Sequence, residues 1–167
     1  VSAVAGYVMA SGDTHNLVRL LCLIVGTGFV AGGASAFNQI MERQPDALMQ
    51  RTRMRPMPDG RVATRDAWVF GSLLTIGGLV ILALGANLLS AGVAFVTMAS
   101  YAVVYTPLKR YSSFATVIGA IPGALPPVIG WAAALDELSQ GAWVLFGIVF
   151  LWQLPHFLAI AWIYRDD

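Results

Sequence analysis

Apolar runs long enough to cross a membrane alternate with short polar joints along this chain. Residues 17–37 form the first complete run, uncharged except for Arg19. Arg19 lies near enough to its start for the stem to follow the helix while the guanidinium reaches water. Residues 67–108 then carry no charge over 42 positions. As a single helix they would extend about 63 Å, twice the roughly 30 Å of a hydrocarbon core. Two crossings are therefore predicted, with the break in residues 85–92, GANLLSAG, where Gly, Asn and Ser supply turn chemistry. Residues 111–135 and 138–164 give two more spans. Residues 1–12 are uncharged but too short to cross, since about 20 residues are needed. They read as the end of a helix, followed by a short turn at His15 and Asn16.

The predicted class is all-α, a polytopic transmembrane helical bundle forming one domain over residues 1–167. Composition agrees: 57% of residues are hydrophobic and 11% charged, with mean hydropathy +0.71, which excludes the ordinary soluble class. The net charge of +1 says little about partners, and nothing in the pattern calls for a nucleic acid. Cys22 lies alone in an apolar run, so no disulfide framework exists and a small packed side chain is expected. The chain starts at Val1 without a basic leader or cleavage signal and stops at Asp166 and Asp167. A piece of a longer protein, truncated at both ends, is expected.

One stretch breaks the apolar pattern. Residues 38–61, NQIMERQPDALMQRTRMRPMPDGR, hold Arg43, Arg51, Arg53, Arg55 and Arg61 with Glu42, Asp46 and Asp59. If the stretch begins as helix, Asn38, Glu42 and Asp46 recur at i, i+4 and i+8, about 40° apart per step, and line one face. Oxygen ligands so placed suit a magnesium ion shared with substrate phosphates, and planar guanidinium groups at Arg51, Arg53 and Arg55 match phosphate oxygens. A basic loop that merely fixes topology is the competing reading. Pro45 predicts that the helix is interrupted near Gln44.

Other features leave two readings open. Gly28 and Gly32 form a GxxxG pair, expected to serve packing. Three prolines and three glycines within residues 119–131, GAIPGALPPVIGW, imply either a broken helix beside a pocket or a kinked packing helix. Tyr101 and Tyr105 suit headgroup anchoring. His156 inside a span is a site residue or a partnered core residue. Alternating the spans puts nine of the ten Lys and Arg residues on one face, which the positive-inside rule assigns to the cytoplasm.

The string Asn38-x3-Glu42-x3-Asp46, followed by Arg51-Thr52-x2-Arg55-Pro56 and Gly60, resembles the first acidic motif of the intramembrane aromatic prenyltransferase (UbiA-type) superfamily. Three further strings narrow the resemblance. Tyr105-Thr106-x-x-Lys109-Arg110, Gly123-Ala124-x-Pro126-Pro127-x-x-Gly130-Trp131 and Trp152-Gln153-x-Pro155-His156-Phe157 together are similar to the heme-farnesylating branch, the protoheme IX farnesyltransferases (heme O synthases).

The resemblance implies a bundle of nine helices, of which this chain holds the end of the first and the next five. It also implies farnesyl transfer from farnesyl diphosphate to a vinyl group of heme B, giving heme O and releasing diphosphate. Heme B is a substrate there, not a cofactor. Asn38, Glu42 and Asp46 bind Mg2+ in the family, and Asp166 and Asp167 match the opening of its second acidic motif. Lys109 joins the catalytic set, while Arg51, Arg55, Tyr105 and Arg110 contact the diphosphate. Trp152, His156 and Phe157 are expected to line the acceptor pocket, with iron ligation by His156 an open option.

The implied setting is the bacterial inner membrane, multi-pass, with the site facing the cytoplasm and a heme A synthase or oxidase-assembly partner nearby. A quinone- or chlorophyll-pathway prenyltransferase is the alternative acceptor class. A membrane transporter, for which Pro-broken helices and an intramembrane His are also natural, is the alternative from outside the enzymes.

Overall fold

Helices whose side chains are apolar all round must bury something other than bulk, because lipid tails solvate leucine as well as a protein interior does. The computed structural model describes residues 1–108 and 115–163. Its long helices turn large side chains such as Phe70, Leu73 and Ile76 outward and bury small ones such as Ala94, Ala120, Ala124, Ala132 and Ala133.

Helix α1 (Ser2–Ser11) precedes α2 (Leu17–Met41), and the short α3 (Arg43–Leu48) follows. Helix α4 (Thr64–Gly85) returns, then α5 (Leu88–Ala99) runs into a π-helix (Ser100–Tyr105) and a single turn, α6 (Thr106–Leu108). Helices α7 (Ala115–Ala124) and α8 (Pro126–Leu135) form one broken crossing, and α9 (Gln140–Ile163) ends the described chain. Five segments have the length and apolar composition to cross a membrane: Leu17–Met41, Thr64–Gly85, Leu88–Leu108, Val117–Leu135 and Gln140–Ile160. Among the described residues there is no strand.

The turns use the expected polar residues. Asn16 caps α2 by accepting from Arg19 N–H at 3.0 Å, and Asn87 caps α5 by accepting from Ser90 N–H at 2.8 Å. Both sites satisfy amides that the first helical turn leaves without partners. The carbonyls at the far end of α8 are met in the same way. Asn87 Nδ2 donates to Ala132 O at 2.7 Å, and Arg19 Nη1 donates to Ala134 O at 3.2 Å. Arg19 therefore does more than reach water: it ties the start of α2 to the end of α8.

Two glycine seams set the helix spacing. In the most extensive contact, α2 against α4, a Cβ on Gly78 would stand 2.6 Å from Gly26 O, and one on Gly33 would collide with Thr75 Oγ1. Across α1 and α8, a Cβ on Gly6 would overlap Pro127 O and one on Gly130 would overlap Ala3 O. The expected Gly28–Gly32 pair is not the seam. Space beside Gly28 is open, because it faces a cavity instead; the buried pair is Gly26 and Gly33, about two turns apart on a neighbouring face of α2.

Substituting Gly78→Leu in the full-length protein is expected to cost about 1–3 kcal/mol through overpacking against Gly26 and Val30, read as a lower thermal midpoint in detergent. Gly28→Ala, which meets no atom, should leave that midpoint unchanged. Equal midpoints for the two variants would contradict the seam.

Candidate active site

The polar end of α2 carries the first three site residues. Asn38 and Glu42 sit one turn apart, and Asn38 Nδ2 donates to Glu42 Oε2 at 2.8 Å. The two side chains are 8% and 5% exposed, and Asp46 is 4% exposed, so two carboxylates are sunk at the head of an apolar bundle. The helix is interrupted at Glu42 (φ −101°, ψ 8°) rather than near Gln44. Pro45 occupies the first turn of α3, where its missing N–H leaves no vacancy in the ladder. The backbone hardly loses continuity there: Glu42 N–H donates to Asn38 O at 2.9 Å and Asp46 N–H to Glu42 O at 2.8 Å. The helical backbone bonding survives the kink, and Asp46 gains the first turn of a helix, where an acid is favoured.

The loop after α3 folds back over these acids. Thr52, 1% exposed, donates from Oγ1 to Asp46 O at 3.0 Å. Arg55 Nη1 reaches Asp46 Oδ2 at 2.8 Å. Met57 is buried beneath the loop. Farther out, Arg61 Nε pairs with Asp59 at 2.6 Å and Nη2 donates to Met54 O at 2.6 Å, across a turn that needs Gly60 at φ 75°. Arg51 and Arg53 stand exposed on the same loop. The basic loop is therefore more than a topology signal in its structure: one of its guanidinium groups is locked onto a buried acid.

A third element closes the site from the opposite side. In the π-helix the Thr106 N–H bonds to Tyr101 O, five residues back. Thr106 Oγ1 lies within hydrogen-bonding distance of both Tyr101 O, at 3.0 Å, and Asn38 Oδ1, at 3.2 Å. Such π segments concentrate at functional sites. Tyr101 and Tyr105 belong to the segment that Thr106 ties to Asn38, and both line a cavity.

Beneath the polar head lies a cavity of about 630 Å³, lined by Thr27, Gly28, Ala31 and Ser35 of α2, the two tyrosines, Gly119 and Gly123 of α7, and Phe157 of α9. The crossing of residues 119–131 is broken at Leu125, between Pro122 inside α7 and Pro126 at the start of α8. Its pieces wall the cavity, so of the two readings of this segment the broken helix beside a pocket is the one observed.

The structure joins Asn38 to Glu42 and Asp46 to Arg55, and sets Tyr105 and Phe157 in the cavity wall. It does not bring Trp152 and His156 there. They stack on each other at 4.8 Å on the exposed face of α9, and the residue of that string turned inward is Gln153, 7% exposed, packed on Gly123. Lys109, Arg110, Asp166 and Asp167 lie outside the described residues. Sequence reasoning gave no role to Thr52 or Thr106, although a small hydroxyl amid apolar and basic neighbours is a usable signal for a buried hydrogen bond.

Among the described residues no three His, Cys, Asp or Glu side chains cluster. An ion at this site would draw on two carboxylates and an amide oxygen, all hard donors, and take its remaining ligands from water or phosphate. That donor set fits magnesium, which keeps several waters and is commonly bound through one or two carboxylates.

Comparison with known proteins bears on the family. The chain is 54% identical over 152 residues, 91% of its length, to a protein from Solibacter usitatus named protoheme IX farnesyltransferase, of which it covers 52%. It is 45% identical over its full length to a protein of the same name from Opitutus terrae, covering 56% of it. The chain thus spans about half the length of the curated relatives it matches. Its fold matches the apo structure of a UbiA homolog from Aeropyrum pernix K1 with a TM-score of 0.72 at 23% identity, over 92% of this chain and 57% of that one. With residues 1–167 matching the UbiA prenyltransferase family from end to end, the chain belongs to that family.

Proposed function

We propose that the chain forms the donor-binding and ionising part of an enzyme that transfers farnesyl from farnesyl diphosphate to a vinyl group of heme B, giving heme O and diphosphate. The observation that carries this reading is the pair of buried carboxylates, Glu42 and Asp46, in a chain whose 630 Å³ cavity extends to Ser35, Tyr101 and Tyr105. Burying carboxylates costs several kcal/mol unless cations meet them. A site for diphosphate and its metal gives that cost a use. The names of relatives 45–54% identical support heme as the acceptor.

Asn38, Glu42 and Asp46 would hold Mg2+, with Asp166 and Asp167 supplying further oxygens. Bound there, the ion would offset charge gathering on the leaving diphosphate. Arg51, Arg55, Arg110, Lys109 and Tyr105 bind and orient the diphosphate, the arginines through paired N–H groups. Asp46 aims Arg55 through their 2.8 Å contact, and Thr106 holds the Asn38 amide through Oδ1.

The apolar wall takes the farnesyl chain and excludes water while the C1–O bond breaks. Both electrons of that bond leave with the diphosphate. The vinyl π pair of heme B forms the new C–C bond to C1, and the carbon left positive takes the oxygen of a water and releases a proton. Of the three residues assigned to the acceptor pocket, Phe157 is retained. The side of the bundle rich in Lys and Arg, which carries the site, faces the cytoplasm in a bacterial inner membrane.

The full-length enzyme, in membranes offered labelled farnesyl diphosphate with heme B, hydroxybenzoate and chlorophyllide, is expected to label heme alone. Label on another acceptor would overturn the acceptor assignment. Glu42→Gln and Asp46→Asn are each expected to lower magnesium-dependent heme O formation by roughly 100-fold or more; wild-type rates in either would refute the metal role.

A further inference from the structure

Between the buried acids and the apolar cavity stand two aromatic rings. Tyr101 and Tyr105 pack against each other with centroids 5.5 Å apart and planes inclined at 31°. Both line the cavity, and the next residue, Thr106, bonds to the Asn38 amide of the polar head. The ring of Tyr105 is held from the far wall as well, because it occupies the space a Cβ on Gly119 would need. Thr106 fixes the polar end of the same π-helix to Asn38, so the rings are tied on one side to a residue proposed to bind the metal and on the other to α7.

This position has a chemical meaning under the function proposed above, on which the inference rests. Diphosphate at the acids and a prenyl chain in the cavity put C1 of the donor at the level of the rings. Ionisation leaves positive charge on C1 and C3 at that level, away from the carboxylates' own cation. An aromatic face carries negative quadrupole density that attracts a cation, most strongly where water is excluded.

We propose that Tyr101 and Tyr105 form an aromatic collar around the reacting allylic carbon, stabilising the cation through their ring faces and keeping water from it until the acceptor vinyl arrives. The ring faces, not the hydroxyls, are what the collar uses. The competing reaction is capture of C1 by water, in which the oxygen bonds to C1, a proton is released and free farnesol forms. The ratio of farnesol to heme O therefore reads the collar directly.

The test uses the full-length enzyme with farnesyl diphosphate, Mg2+ and heme B, measuring heme O and farnesol together. Tyr101→Leu and Tyr101→Met, two non-aromatic replacements, are expected to lower kcat for transfer roughly 10- to 30-fold. KM for farnesyl diphosphate should change less than about threefold, and the share of ionised donor lost as farnesol should rise. Tyr101→Phe, which keeps the ring, should restore the wild-type partition. Leu and Met variants with wild-type partition, or a Phe variant that releases as much farnesol as they do, would overturn the collar alone. A wild-type enzyme that transfers no farnesyl to heme would overturn the function it rests on, and the collar with it.

Discussion

Two carboxylates held out of water at the end of a membrane helix are the constraint around which the rest is organised. A charged group in such a place is costly and persists where partners meet it. Here the partners come from three separate stretches. Asn38 of the same helix donates to Glu42, the basic loop sends Arg55 to Asp46 and Thr52 to the Asp46 carbonyl, and the π-helix places Thr106 on Asn38. Removing any one leaves a buried polar atom without its bond, so the cluster fixes how α2, the loop and the end of α5 approach one another.

The apolar part of the bundle serves that cluster through close packing. Glycine seams draw α2 onto α4 and α1 onto α8, and the carbonyls that α8 exposes are satisfied by Asn87 and Arg19. The crossing to which α8 belongs is itself broken by proline at residues 122 and 126. Irregular backbone at membrane depth is tolerated where it lines a cavity, and Gly119, Pro122 and Gly123 do line one. The seams and the broken crossing leave a cavity whose lining reaches Ser35, about one turn before Asn38, and the tyrosines at 101 and 105.

Much of this was legible in the chain because charge is so scarce in it. Five crossings followed from the lengths of uncharged runs, and the break at Asn87 from its turn residues. The spacing of Asn38, Glu42 and Asp46 was readable directly, and the helical backbone bonding through Asp46 outlasted a kink that Pro45 had suggested two residues later. Side-chain direction within uniformly apolar helices was harder. With hydrophobic residues on every side of α2 and α9, nothing in their periodicity says which glycine faces a neighbour or whether His156 or Gln153 turns inward; packing against α4 and α7 decides that. The π-helix was equally hidden, since SYAVVY differs in no local propensity from an α-helical stretch.

The central claim is that Asn38, Glu42 and Asp46 bind a divalent ion together with diphosphate. Manganese(II), used as a paramagnetic substitute for magnesium on the full-length protein with inorganic diphosphate, tests it without turnover. The account predicts a bound-ion spectrum with phosphorus coupling that depends on diphosphate and is lost in Glu42→Gln and in Asp46→Asn. An unchanged phosphorus-coupled signal in both variants would contradict it.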